Sequence, residues 1–214
     1  MVDLIELGAN DLAAMLCSRV CHDLINPVGA INAGLEVLAD PKQSAMHEGA
    51  NDLIVGSARQ ASAKLEYARL AFGASSAAGT DFDTRECERV AKLFFANEKS
   101  DLDWAVTPMM LPKNKAKLLM NMLLICAMGV PRGGLVRVMV EGAPGMENFR
   151  IVGKGPKVLI PSKVEGLISG APEEGVDARG IQPFYTGLLA RMTSMGLAIA
   201  IEGDELVFTA QPVS

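Results

Sequence analysis

The chain is poor in the side chains that announce many kinds of chemistry: 214 residues carry two histidines, four cysteines, one tryptophan and two tyrosines. Four cysteines, at 17, 21, 87 and 126, do not make a disulfide framework in a chain of this length. Cys17 and Cys21 lie one helical turn apart and read either as half a metal or redox site or as small core residues. No second pair of ligands stands at metal-binding spacing, which favours the core reading. Basic residues are scattered and outnumbered, 20 against 25 acidic, giving a net charge of −5. That excludes the electrostatic footprint of a nucleic-acid binder. The longest apolar run, residues 118–130, is interrupted by Asn121, stops at Pro131 and is too short to span a bilayer. The opening residues carry acids where a secretion signal carries bases, so the expected compartment is the cytoplasm, away from membrane.

What is present begins with a half-hydrophobic composition, 50%, enough for one large core or two small ones. Cys17, Cys21, Leu24, Val28, Ile31, Leu35 and Leu38 recur at the alternating three-and-four spacing of a bundle helix. At about 100° per residue, His22 and Asn26 lie roughly 160° and 200° from Leu24, facing away from that seam. Asn10 or Asp11 can cap this helix, which runs to about Leu38 before Asp40-Pro41 breaks it. Pro27 removes the N–H that would bond the carbonyl of Asp23, so a bend is expected just after the histidine. Beyond His22 the outer face is shaved down to Gly29, Ala30 and Ala33, a surface another protein can approach closely. An exposed imidazole with a free ring nitrogen can attack a phosphoryl group, and the adjacent Asp23 can hold the other nitrogen in its N–H form.

A second helix, capped by Ser44, is expected to reach Phe72 with a seam of Ile54, Ala58, Ala61, Leu65, Ala68 and Phe72. Two such helices form an antiparallel hairpin that cannot cover its own seam. Docking two hairpins into a four-helix bundle buries it, so a homodimer is expected; the alternative is packing on the remainder of the same chain. His47, without an acid-proline context, reads as solvated. The small-residue stretch 73–79 marks the boundary between a helical domain, residues 1–75, and a second domain, residues 80–214. There the expected order is a helix over 84–97 capped by Asp83 or Thr84, a strand over 102–106, and an apolar helix over 114–128. Strands over 135–141 and 148–152, a helix over 181–195 and a terminal hairpin over 197–209 follow, with 158–168 ambiguous. The fold class is therefore α+β, a helical hairpin followed by a two-layer α/β sandwich.

His22-Asp23-Leu24-Ile25-Asn26-Pro27 resembles the phosphoacceptor box of two-component sensor kinases, in which His, an acid, two variable residues, Thr or Asn, and Pro follow in order. The basic residue often found before the Asn is Ile25 here. Residues 121–134 resemble the helix that opens the ATP site of the same kinases, from Asn121 to Gly133-Gly134. The second Asn of that pattern is Ile125, which can neither ligate a metal nor accept a hydrogen bond. Gly153 stands where the adenine-reading Asp belongs, Lys157 replaces a glycine, and around residues 185–189 only Gly187 remains of a glycine-rich lid. The isolated Gly153-Lys154-Gly155 has no helix start placed to receive an anion.

Taken together, a histidine bundle fused to a degenerate kinase fold resembles the ChpT-type histidine phosphotransferases of alphaproteobacteria. The resemblance implies that the chain is a phosphotransferase but not an autokinase. His22 would receive a phosphoryl group from the receiver domain of a hybrid histidine kinase and pass it to CtrA-like and CpdR-like response regulators. Asp23 would orient the imidazole, and Asn26, on the same face, would support a phosphatase side activity. Arg19, Ile25, Gly29 and Ala33 would form the receiver-docking surface. The chain would hold no ATP and no metal, the Mg²⁺ being carried by the partner receiver. Two other readings remain: a working histidine kinase with an unusual ATP site, and a non-catalytic dimeric scaffold that only binds receivers.

Overall fold

The computed structural model describes residues 4–73 and 81–213. Helix α1 spans Ala9–Ala39 and α2 spans His47–Phe72, folded back against each other as the expected hairpin. The turn between them is a 3₁₀ segment, Pro41–Met46, and its cap is Asp40, whose side chain accepts from the Lys42 N–H. Ser44 falls inside that segment and does not cap α2. Nor does Asn10 or Asp11 cap α1, whose N-cap is Gly8 with no side-chain bond. The helix runs unbroken through Pro27, which is buried. His47 is partly buried with its Nε2 unpartnered, not solvated, because the 3₁₀ turn folds the start of α2 back beside the end of α1.

The intrachain seam is displaced from the expected one. Gly34 is buried so tightly that a Cβ there would stand 2.6 Å from Ile54 Cγ1 and 3.1 Å from the Ala50 carbonyl. That close crossing draws α2 onto the Pro27–Gly34 side of α1. Cys17 and Cys21 are consequently exposed, not small core residues, together with Val28 and Leu35. Ala58 and Leu65 of α2 are exposed as well. The bundle seam read from the sequence is therefore half covered by the chain's own second helix.

The C-terminal part is a mixed sheet with helices on one face. Strands β2 (Ser100–Ala105), β4 (Gly134–Glu141), β5 (Asn148–Lys154), β6 (Met195–Glu202) and β7 (Glu205–Pro212) take the order β2-β4-β5-β7-β6, in which β2 and β4 are parallel and every other pair antiparallel. Val136 and Val138, Phe149 and Ile151, Leu206 and Phe208 point into the core. Their alternates carry ion pairs on the other face, such as Arg150 with Glu202 at 3.1 Å. Helices α3 (Thr84–Phe95), α4 (Lys113–Met128) and α6 (Ile181–Met192) cover the inner face, with short α5 (Val164–Ser169) packed on α6. Asp83 caps α3 by accepting from the Arg85 N–H. A small pair not foreseen from sequence, β1 (Phe82–Asp83) with β3 (Met110–Leu111), closes the edge. The last helix stops at Met192, earlier than expected. Thr193 Oγ1 donates to the Leu189 and Ala190 carbonyls and Ser194 takes a positive φ, which releases Met195 and Gly196 into β6.

The two parts share one apolar core. Tyr67, Leu70 and Ala71 at the end of α2 belong to the same buried cluster as α3, α4 and the sheet. Tyr67 donates its hydroxyl to the Met120 carbonyl at 2.8 Å, and burial holds its phenol well above the ordinary range. The expected linker falls on residues 73–79, of which only Gly73 lies within the described residues.

Candidate functional site

One face of α1, over about three turns, gathers the candidate residues. Successive side chains advance by about 100°, so Ile25, Gly29, His22, Ala33 and Asn26 fall within roughly a 100° arc on the side of α1 away from α2. All five are exposed, Ile25 to 65% and the His22 side chain to 68%. A Cβ added at Gly29 meets nothing within 4 Å, so the face is flat at its centre. His22 Nδ1 stands 3.6 Å from Asp23 Oδ1, slightly beyond a hydrogen bond and within reach of a small torsion. The other carboxylate oxygen, Oδ2, accepts from Arg19 Nε at 2.9 Å. Nδ1 thus faces the acid, and an imidazole that keeps its proton on Nδ1 offers Nε2 as its nucleophilic nitrogen. Arg19 was the one expected docking residue that the structure withdraws from the surface: its side chain is 21% exposed.

Beneath Arg19 and Asp23 lies a cavity of about 360 Å³ between the hairpin and the C-terminal part. Leu24, Tyr67, Phe72, Phe94 and Leu124 contribute apolar wall, while Lys64, Glu98 and Lys99 stand with Arg19 and Asp23 among its lining. Burial raises the carboxyl of Glu98 above its ordinary value; Lys64 and Lys99 oppose that rise and Asp23 adds to it. Nothing in the order of the sequence places Glu98 near Asp23. The Arg19–Asp23 bond, by contrast, follows from i,i+4 spacing and was readable.

The positions that depart from a kinase ATP site are occupied by core. Ile125 is fully buried. A Cβ at Gly153 would lie 2.7 Å from Val130 Cγ2 and 3.1 Å from Cys126 Sγ, so the space for an adenine-reading carboxylate is filled. Lys154 is held by Asp204 and Glu205, each at 3.2 Å, and Lys157 is exposed. Gly187 lies in the middle of α6, where a Cβ would strike the Ile168 carbonyl; it serves helix packing and residues 185–189 form no lid. Asn121 has been turned to another use that sequence reasoning missed. Its Nδ2 donates to the Ala71 carbonyl at 3.0 Å and the Lys117 carbonyl at 2.9 Å, while Gln182 Nε2 donates to its Oδ1 at 3.1 Å. The asparagine thereby fastens α4 and α6 to the end of α2. Among the described residues no three His, Cys, Asp or Glu side chains stand together as a metal site, and no helix is long and apolar enough to cross a membrane.

With this geometry established, comparison with known proteins is decisive. Residues 84–205 match the family described as the histidine phosphotransferase C-terminal domain. The protein phosphotransferase ChpT of Brucella abortus (strain 2308) is 47% identical over 97% of this chain and 98% of its own length. The chain belongs to the ChpT-type histidine phosphotransferases. A solved structure described as a bacterial phosphotransferase superimposes with a TM-score of 0.89 at 46% identity, covering 98% of this chain and all of that one, 100%. The histidine kinase AdeS of Acinetobacter baumannii is matched at 13% identity with a TM-score of 0.46, over 89% of this chain and 96% of that one. The α+β class, with its N-terminal hairpin followed by an α/β sandwich, is as read from the sequence. Phosphotransfer within a two-component phosphorelay is the activity of its family.

Proposed function

We propose that His22 is the phosphoacceptor, taking a phosphoryl group from the receiver aspartate of a hybrid histidine kinase and passing it to the aspartates of CtrA-like and CpdR-like response regulators. The observation that carries this reading is the exposed imidazole, Nδ1 turned to Asp23, on a helix face left open around Gly29. Nε2 attacks phosphorus in line as the acyl-phosphate P–O bond breaks toward the receiver's carboxylate, and Asp23 holds the Nδ1 proton and the positive charge that develops on the ring. Little else is asked of this chain. The transfer is governed by positioning and by charge neutralisation, which the receiver's own Mg²⁺ supplies. Docking uses Ile25, Gly29 and Ala33 beside the histidine.

The phosphoryl group comes from a phosphoprotein and not from ATP, so the chain is no autokinase and needs no bound nucleotide or metal. Ile125 in the core and the filled space beside Gly153 support this. Two copies pair through the open stripe of Cys17, Cys21, Val28 and Leu35 with Ala58 and Leu65, forming a four-helix bundle with a histidine on each side. The protein works in the cytoplasm, where receivers and regulators meet it.

The deciding experiment mixes the purified chain with a ³²P-labelled receiver. Label moves to the wild type as an acid-labile phosphoprotein and not to His22→Ala; incubation with labelled ATP alone leaves the chain unlabelled. Label from ATP, or transfer surviving His22→Ala, overturns the proposal. In the same assay Asn26→Ala slows loss of the receiver's phosphate as inorganic phosphate if Asn26 positions the attacking water. An unchanged rate limits Asn26 to docking.

A further inference from the structure

We infer that Arg19 is a positioning residue of the transfer site, acting through Asp23 on His22. This deepens the phosphoacceptor reading of His22 and rests on it.

The two oxygens of Asp23 have separate tasks. Oδ2 is held by Arg19 Nε at 2.9 Å, which leaves Oδ1 aimed toward His22 Nδ1 at 3.6 Å. A carboxylate on a free χ2 torsion samples both faces, whereas one gripped at a single oxygen by a planar guanidinium presents the other in a fixed direction. Only that presentation keeps the proton on Nδ1 and the lone pair on Nε2, the nitrogen that must attack. Charge points the same way. During transfer the Nε2–P bond forms, the acyl P–O bond breaks with its electron pair going to the receiver's carboxylate, and the Nδ1 proton stays on a ring that has become cationic. The phosphoryl group then sits on the neighbouring residue to an anionic Asp23, and Arg19 offsets the repulsion between the two.

The position of Arg19 separates this role from docking. Its side chain is 21% exposed and lines the cavity under α1, whereas Ile25 on the open face is 65% exposed. The other charged groups facing the pair come from different elements: Lys64 from α2, and Glu98 and Lys99 from the segment after α3. Phe94, Leu124 and Met128 of the C-terminal domain complete the wall. The C-terminal domain thus supplies one wall of the cavity that Arg19 and Asp23 line.

The test compares wild type with Arg19→Met, which keeps the stem and removes the guanidinium, and with Arg19→Lys, which keeps only the charge. Single-turnover transfer from a phosphorylated receiver is followed as a function of receiver concentration, and the ¹⁵N shifts of the imidazole report its tautomer. Expected for Arg19→Met is a maximal rate lower by about tenfold to a hundredfold, the range seen when a group orienting a functional side chain is lost, with half-saturation unchanged. The Nδ1–H population falls with it, and Arg19→Lys recovers only part of both. Raised half-saturation with the maximal rate intact assigns Arg19 to docking and overturns the inference, as does an unchanged tautomer. Wild-type protein that takes no label on His22 sinks the underlying phosphoacceptor reading instead.

Discussion

At the scale of single residues, the site depends as much on missing side chains as on present ones. His22 stands on an outer face of α1 that is cut down to Gly29 and Ala33 beyond it, and Gly29 is the smaller of the two. Its Cβ position is empty space, and the residue lies in a regular helix where glycine is the poorer choice by about 1 kcal/mol relative to alanine. Stability gives no reason for a glycine here, whereas close approach by a partner does. Gly29→Trp is therefore expected to leave thermal unfolding unchanged or slightly raised while reducing transfer from a phosphorylated receiver by about tenfold or more. Calorimetry alongside the transfer assay checks both halves, and a variant that melts early or transfers normally removes Gly29 from the docking face. The imidazole, the acid and the asparagine were legible from their spacing alone, since a helix converts sequence separation directly into angle. The burial of Arg19 against a cavity was not, because one wall of that cavity comes from residues about 75 positions further on.

At the scale of elements, α4, the helix whose sequence resembles that of a kinase ATP site, is tied into the core. Asn121 on α4 exchanges hydrogen bonds with Ala71 of α2 and Gln182 of α6, Tyr67 reaches the Met120 carbonyl, and Ile125 faces the core. Each contact fastens α4 to a neighbouring segment of the core. Restoring a single family residue is thus expected to do harm without restoring binding. Gly153→Asp places a carboxylate against Val130 and Cys126, overpacking the site and burying a charge, at a cost of about 3 kcal/mol or more. Urea denaturation measures that loss, and titration with a fluorescent ATP analogue is expected to stay flat. A stable variant that binds the analogue would show that the pocket had only lost its carboxylate. The strands and long helices of this half followed from their periodicity, but α6 was read three residues too long. Its stop is a Thr193 side chain bonding back to two carbonyls, a local device that hydrophobic pattern does not register.

For the whole molecule, the central quantity is the apolar stripe that the chain does not cover. Val28 is 47% exposed and Leu35 51%, on the helix that carries the phosphoacceptor candidate. Pairing of two copies across this stripe predicts that Val28→Glu weakens association by about 2 kcal/mol or more, since a carboxylate would have to enter an apolar seam. Light scattering of wild type at micromolar concentration should give twice the chain mass, and the variant should shift toward a single chain with its helix content intact by circular dichroism. A monomeric wild type, or a variant that stays dimeric, would count against the bundle. The same stripe explains why Cys17 and Cys21 looked like core residues: their spacing marks an apolar face truthfully, without saying which neighbour covers it.

The sequence by itself determined the elements and the chemistry of α1, because helix period, proline and glycine act over a few residues and need no tertiary context. It also determined which nucleotide-binding groups are gone, since an isoleucine or a glycine cannot do the work of an asparagine or an aspartate wherever it lies. Tertiary structure alone decided which side of α1 the second helix takes, through the close crossing at Gly34. It also decided what packs against Gly153 and Ile125 and which residues line the cavity beside Arg19 and Asp23. Those depend on packing between segments far apart in the chain, where one methyl group of volume selects among arrangements that the hydrophobic pattern leaves equivalent.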